Sequence, residues 1–261
     1  SYRKIKKVSD KYPENLLFRY QLALIKIKQR KLSEAHIILA GIIKSGNKKF
    51  IQTIAYSYFL LGDIYFRKGE YKNAVKHYDE FIERSVELNF LGTAFLRKAI
   101  SHNFLNEDDQ FRKTLSNTSL GESENKEDEY SISKSGHYMK YGITEEEKIV
   151  ITARNMKESG KYKESADYCI AKIKFIKDNE NRAMIYCIAG ESFLKLGMLE
   201  EALKYLKPAA ENIYKREKWM NPYAKIIFAE YWRKRNNKTN MEKYIKAAES
   251  ENSYHNKYDI E

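Results

Sequence analysis

The sequence predicts an all-α chain, an α-solenoid of about six helical hairpins, and three observations predict it. Three prolines and eleven glycines in 261 residues are too few to punctuate an all-β fold, and alternating Val/Ile/Thr runs are scarce beside 21 Tyr and 12 Phe. Apolar residues recur at helical spacing, broken by turn residues, as in "LLGDIYFRKGEYKNAVKHYDEFI" (60–82). The same grammar then returns along the chain, with small residues at equivalent places: 23, 62, 99, 153, 190 and 229. Their separations are 39, 37, 54, 37 and 39, a period that means stacked helical pairs, each burying its open face on its neighbours.

Taken in order, the basic start "SYRKIKKVSDKYPEN" reads as the tail of an earlier hairpin, with Pro13 opening the next helix. The first hairpin runs through Ala23, Leu32 and Ala35. In the second, Tyr58, Leu61, Gly62 and Tyr65 share one face of a first helix; Tyr71, Ala74, Tyr78 and Phe81 share one face of a second. Gly69 between them suits the left-handed residue that ends a helix. Gly62 and Ala74 let the two backbones approach, and Tyr65 and Tyr78 fill the space beside them. The third hairpin lies around Ala99. The stretch 116–142 is rich in Ser, Asn, Glu and Gly, lacks an apolar stripe, and is expected to be a long polar loop near the middle, with Tyr138, Met139 and Tyr141 tucked back. Thr144 followed by Glu145, Glu146 and Glu147 marks a helix start. Ala153, Gly160, Tyr162 and Ser165 carry the fourth hairpin; Gly190, Phe193, Gly197, Leu199 and Ala202 the fifth; Ala229 the sixth. The expected organisation is a three-hairpin block at 1–115, a connector at 116–142 and a second three-hairpin block at 143–261.

The order Tyr58, Leu61-Gly62, Tyr65, Gly69, Tyr71, Ala74, Tyr78 resembles the tetratricopeptide repeat signature, as do 183–214 and 146–175. Two departures are a period longer than the usual ~34 residues and Phe81 where that repeat usually has Ala. The resemblance implies a right-handed superhelix. The stretches "EKWMNPYAKIIFAEYWRKR" and "MEKYIKAAESENSYHNKY" are similar to the end of a tetratricopeptide family linked to inclusion-body clearance.

The resemblance also implies that first helices line a concave binding groove, which places Tyr20 and Lys28 of the first hairpin there, and Tyr56, Phe59, Asp63, Phe66 and Arg67 of the second. Arg154 and Lys157 follow from the fourth, Glu191 and Lys195 from the fifth, and Tyr223, Glu230 and Arg233 from the sixth. Tetratricopeptide co-chaperones hold a terminal carboxylate with Lys and Asn at two such places. Here those places hold Tyr20 and Leu24, or Phe59 and Asp63, so that clamp is not expected.

No catalytic set emerges. The five histidines (36, 77, 102, 137, 255) contain no H-E-x-x-H and no i, i+4 pair, and there is neither a phosphate loop nor a nucleophile elbow. Cys169 and Cys187 form no C-x-x-C, and Cys169 falls at a packing position, which marks it as a structural thiol. The expectation is a non-enzymatic scaffold with no cofactor or metal, whose partner is another protein offering an acidic peptide or amphipathic helix. The net charge of +12 keeps RNA as an alternative, although the uneven repeat spacing fits poorly with one-base-per-repeat reading. A cytoplasmic location is favoured on this reading, with an envelope role as a third reading if a leader preceded Ser1.

Overall fold

The computed structural model describes residues 2–121 and 125–251. Among them are fourteen α-helices and three short 3-10 turns, with no strand. Contacts divide the chain into two compact units, residues 1–142 and 143–261. The first contains α1 (Tyr2–Lys11), α2 (Leu16–Lys28), α3 (Leu32–Lys44), α4 (Ile51–Lys68), α5 (Tyr71–Arg84), α6 (Leu91–Phe104), α7 (Asp108–Ser116) and α8 (Lys126–Tyr141). The second contains α9 (Glu145–Glu158), α10 (Tyr162–Lys172), α11 (Asn179–Leu196), α12 (Leu199–Glu211), α13 (Met220–Lys234) and α14 (Lys238–Glu251). Six antiparallel hairpins result: α2/α3, α4/α5 and α6/α7, then α9/α10, α11/α12 and α13/α14.

One turn builds all six. Each first helix ends in a residue with positive φ: Arg30, Gly69, Asn106, Gly160, Gly197 and Asn236. The N–H of that residue donates to the carbonyl three back, and the next N–H to the carbonyl five back from it, as in Gly69→Phe66 and Glu70→Tyr65 or Asn236→Arg233 and Asn237→Trp232. These are the two bonds of a Schellman ending, which satisfy carbonyls the helix leaves open. The second helix begins at once. Left-handed residues therefore recur at the same intervals as the small residues, so hairpin geometry is set locally and in register.

The small residues decide how closely each pair packs. Ala23, Ala99 and Ala153 are fully buried and Ala229 nearly so. At Gly62 a Cβ would lie 2.7 Å from the Tyr78 ring, and at Gly190 it would lie 2.6 Å from Leu206 Cγ. Neither neighbour has room to give, because interiors are close-packed. Tyr78, Phe81, Phe228 and Tyr231 are almost wholly buried behind these contacts, each contributing about 1.5–3 kcal/mol by burial.

Successive hairpins are tied by a second recurring device. The side chain of Gln52, early in α4, accepts a bond from the Val86 N–H at 3.3 Å, in the segment entering α6. Glu146 of α9 accepts from the N–H groups of Lys177 and Asp178 entering α11, and Glu180 of α11 accepts from Lys215, Arg216 and Glu217 entering α13. An acceptor on one first helix thus caps the backbone leading into the next.

Two expectations need correction. The stretch 116–142 is not a long polar loop: a 3-10 turn at Thr118–Leu120 is followed by the 16-residue helix α8. Asn125 caps α8 through bonds from the N–H groups of Glu127 and Asp128. The face of α8 toward α6 carries Asp128, Ser131, Ser135 and Tyr138, which are buried at helical spacing. Asp128 Oδ1 accepts from both the backbone N–H and the hydroxyl of Thr93 at 2.7 Å, so α8 caps the start of α6. Tyr138 is buried, whereas Met139 and Tyr141 face solvent. Pro13 does not open α2: it lies in the turn after α1, and Asn15 is the N-cap, its side chain accepting from the Leu17 N–H.

Candidate binding surface on the first helices

In the first unit the predicted residues converge on Asp63. Arg97 of α6 donates from Nη1 to both Asp63 oxygens, at 2.6 and 2.5 Å, and the Tyr78 hydroxyl donates to Oδ1 at 2.7 Å. Arg67, one turn along α4, lies 4.0 Å from the same carboxylate. The Arg97 guanidinium also stands 5.7 Å over the Phe59 ring and 3.9 Å from Glu127 of α8. Burial alone would lower the Arg97 pKa, but Asp63, Tyr78 and Glu127 outweigh it and hold the group above the ordinary arginine range. Burial pushes the Tyr78 hydroxyl well above its ordinary value, and the Asp63 charge adds to the shift.

Around this pair the aromatics are mostly internal. Phe59 packs 5.2 Å from Phe81 and 5.3 Å from Phe90, and Phe66 packs 5.8 Å from Tyr71. Phe59, Asp63 and Phe66 are therefore buried and engaged within the unit. Tyr56 is half-buried and donates to Glu87 at 2.7 Å, with Tyr20, also half-buried, 6.5 Å from its ring. Burial, then the neighbouring Tyr56 and Asp63, raise the Tyr20 pKa. Lys28 is exposed at the end of α2, and Arg67 is half-buried.

The second unit repeats this arrangement with the charges reversed. Lys157 of α9 donates to Glu191 of α11 at 2.5 Å and lies 2.9 Å from the Tyr223 hydroxyl of α13, which itself donates to Glu191 at 2.6 Å. Glu158 is 3.2 Å from the same ammonium. Burial opposes the Lys157 charge, but Glu191, Tyr223 and Glu158 hold its pKa well above the usual lysine value. Lys157 and Glu191 are buried, so they tie three first helices together. Arg154 is half-buried, its guanidinium 4.9 Å over Trp219, whose indole N–H donates to Glu217. Lys195 is exposed, and Arg233 is exposed but paired with Glu230 at 2.6 Å.

The predicted groove set therefore separates into two kinds. Asp63 with Arg97 and Lys157 with Glu191 cancel inside the units, each pair 34 residues apart in sequence. The exposed or half-buried charges left over are Lys28 and Arg67 in the first unit and Arg154, Lys195, Glu230 and Arg233 in the second; all but Glu230 are basic, and Glu230 is answered by Arg233. Arg97, Glu127 and Trp219 were missed by counting positions within a hairpin. Opposite charges on first helices one repeat apart are the signal that points to the two pairs.

Both cysteines are free and fully buried, and burial pushes their thiols up to about 12. His102 is buried with Nδ1 2.6 Å from Glu107, and His77 Nδ1 lies 2.8 Å from the Asn73 carbonyl. His255 and residues 252–258 of the inclusion-body-clearance likeness lie outside the described residues. Among those described, no group of three or more His, Cys, Asp or Glu is placed to hold a metal ion.

Residues 55–85 match the family model described as tetratricopeptide repeat. Among solved structures, the chain is similar to YrrB, described as a tetratricopeptide protein with an unusual peptide-binding site, at 14% identity and a TM-score of 0.38, covering 96% of this chain and 93% of that one. It is similar to a tetratricopeptide repeat protein from Parabacteroides merdae at 17% identity and a TM-score of 0.39, covering 95% and 84%. A third likeness, to the TPR2AB domain of yeast Sti1 in a pHSP90 complex, has 13% identity and a TM-score of 0.33, covering 92% of each chain. At such identities and scores these are likenesses only. No curated protein matches the chain. Residues 55–85, which span the paired helices α4 and α5, are a tetratricopeptide repeat, the second of six hairpins closed by one kind of turn.

Proposed function

We propose that the chain is a non-catalytic protein-interaction scaffold whose first helices hold an acidic peptide or amphipathic helix of a partner protein. One observation carries this reading: the buried charges at the predicted inward positions are matched in pairs, while the most exposed ones, Lys28, Lys195 and Arg233, are basic, and the acid Glu230 among the half-buried ones is already paired. A buried pair that is already satisfied offers a ligand little. Exposed Lys28 and Lys195, with half-buried Arg154 over Trp219 and half-buried Arg67 at 4.0 Å from Asp63, are the cations that can meet carboxylates, beside the amphipathic edges of Tyr20 and Tyr56. The likeness of residues 55–85 to the tetratricopeptide repeat supports the same reading, since such repeats are interaction modules.

The test is titration of labelled amphipathic peptides, one acidic and one basic of equal length, against the full chain by fluorescence anisotropy. The acidic peptide is expected to bind more tightly. Lys28→Glu/Arg67→Glu in the first unit and Arg154→Glu/Lys195→Glu in the second test each unit separately, and at least one of the two is expected to weaken binding ten-fold or more. Equal binding of both peptides, or unchanged affinity in both variants, would overturn the reading.

The net charge of +12 favours one second reading, RNA binding. A gel shift with single-stranded RNA at 50 and 200 mM salt decides it, and no shift even at the lower salt ends it.

A further inference from the structure

We propose that one edge of the second unit, built from residues 172–177 and 213–218, docks on an anionic lipid bilayer. Two loops form it. The first leaves α10 as Lys172, Ile173, Lys174, Phe175, Ile176 and Lys177; the second leads into α13 as Ile213, Tyr214, Lys215, Arg216, Glu217 and Lys218. They are neighbours in space. Arg216 Nη2 donates to Asp178 at 2.5 Å, and Glu180, two residues beyond Asp178, accepts from the N–H groups of Lys215, Arg216 and Glu217.

What this edge exposes is unusual for a solvated turn. Phe175 is 57% exposed and Ile213 75%, whereas Ile176 and Tyr214 beside them are buried and anchor each loop to the core. The ammonium groups of Lys172 and Lys174 stand 5.6 and 5.1 Å from the Phe175 ring. Six basic residues lie on the two loops: 172, 174, 177, 215, 216 and 218. The nearby acids are turned to internal use: Glu180 and Glu146 accept backbone N–H groups, Asp178 accepts from Asn181 and Arg216, and Glu217 accepts from Trp219. Arg216 is offset by Asp178, and Glu211 is exposed two residues before Ile213, so the five lysines set the outward field, which is positive.

Protruding apolar tips ringed by lysines match the boundary between headgroups and acyl chains, where apolar side chains leave water and basic ones meet anionic headgroups. Phe175 could stack one base, but the more exposed tip, Ile213 at 75%, offers no aromatic face, so the edge lacks a run of stacking platforms and fits a bilayer better than nucleic acid. A protruding tip also disfavours a peptide, which seeks a concave seat. No helix among the described residues is long and apolar enough to cross a membrane, so the contact proposed is a surface one. It does not depend on the peptide-binding reading, because it uses none of Lys28, Arg67, Arg154 or Lys195.

The experiment is co-sedimentation of the full chain with phosphatidylcholine vesicles, with and without 30 mol% phosphatidylserine, at 50 and 500 mM salt. Binding is expected only to the anionic vesicles, falling at the higher salt. Phe175→Ser/Ile213→Ser leaves the charge unchanged and is expected to reduce partitioning at least ten-fold; Lys174→Glu/Lys215→Glu is expected to do the same. Lys163→Glu/Lys207→Glu, on exposed positions of α10 and α12, makes the same charge change away from the edge and is expected to cost less than three-fold. Circular dichroism checks that each variant is folded. Three outcomes overturn the proposal: no binding to anionic vesicles, equal loss in the control pair, or serine variants that bind as the wild type does, which would make the attraction one of net charge alone. An RNA gel shift abolished by the same edge variants, without vesicle binding, would reassign the edge to nucleic acid.

Discussion

Replacing Asp63 by alanine removes the acceptor that neutralises Arg97 and takes the Tyr78 hydroxyl bond. Breaking a buried ion pair from one side costs about 3–5 kcal/mol, because the surviving charge stays desolvated without its partner. Arg97 retains 28% side-chain exposure and Glu127 at 3.9 Å, so about 3 kcal/mol is the appropriate end of that range. The lost acceptor for Tyr78, which is fully buried, adds about 1 kcal/mol or more. With a urea slope of about 1–3 kcal/mol/M, the total of about 4 kcal/mol should lower the unfolding midpoint of the first unit by about 1.3–4 M. Adding Arg97→Met and Tyr78→Phe removes the stranded groups, and the triple variant should recover to within about 1 kcal/mol of wild type. Urea titrations followed by circular dichroism at 222 nm, with an unchanged slope as the control, give these values. A loss below about 1 kcal/mol for Asp63→Ala, or a triple variant no better than the single, would show that the pair is not desolvated and refute the reasoning.

Three other outcomes are expected. Lys157 and Tyr223 both hold their protons to higher pH folded than unfolded, so above pH 10–10.5 the unfolded chain binds fewer protons and stability falls as pH rises; urea midpoints between pH 8 and 11 should be flat at first and then drop, less steeply in Lys157→Met/Glu191→Leu. Arg30→Gly should raise the melting midpoint by about 1 kcal/mol equivalent, because an L-residue is strained at φ 60°, whereas Gly69→Ala, at φ 76°, should lose about 1–2 kcal/mol. Cys169 and Cys187, buried and pushed up to about 12, should resist a thiol-exchange reagent at pH 8 in the native chain and react fully in urea.

The hairpins were legible because their signal is local. Small residues at 23, 62, 99, 153, 190 and 229 are the close-approach points, and they fall at a fixed step before the left-handed turn residue. Only half of those turns carry glycine; Arg30, Asn106 and Asn236 occupy the same conformation and leave little trace in composition. Helix α8 was illegible for a different reason. Its packing face has helical spacing but consists of Asp128, Ser131, Ser135 and Tyr138, so a search for apolar periodicity passes over it. The groove residues were legible as positions but not as roles. Nothing within a single hairpin reveals that Asp63 answers Arg97 or that Lys157 answers Glu191, since both partnerships cross from one hairpin to the next.

The six identical turns also determine where this chain tolerates extra length. One residue inserted beside Arg30, Gly69 or Asn106 would rotate the following helix by about 100° and swing its apolar stripe away from its mate. The joints between hairpins leave the helix phase of each pair untouched, and it is at one of them, after α7, that an entire additional helix has been accommodated while the intervals on either side stay at 37 and 39. Grafted sequence, an affinity tag or a reporter domain therefore belongs at the exposed residues 44–46 rather than at 85–90, where Val86, Glu87 and Phe90 are already engaged by α4.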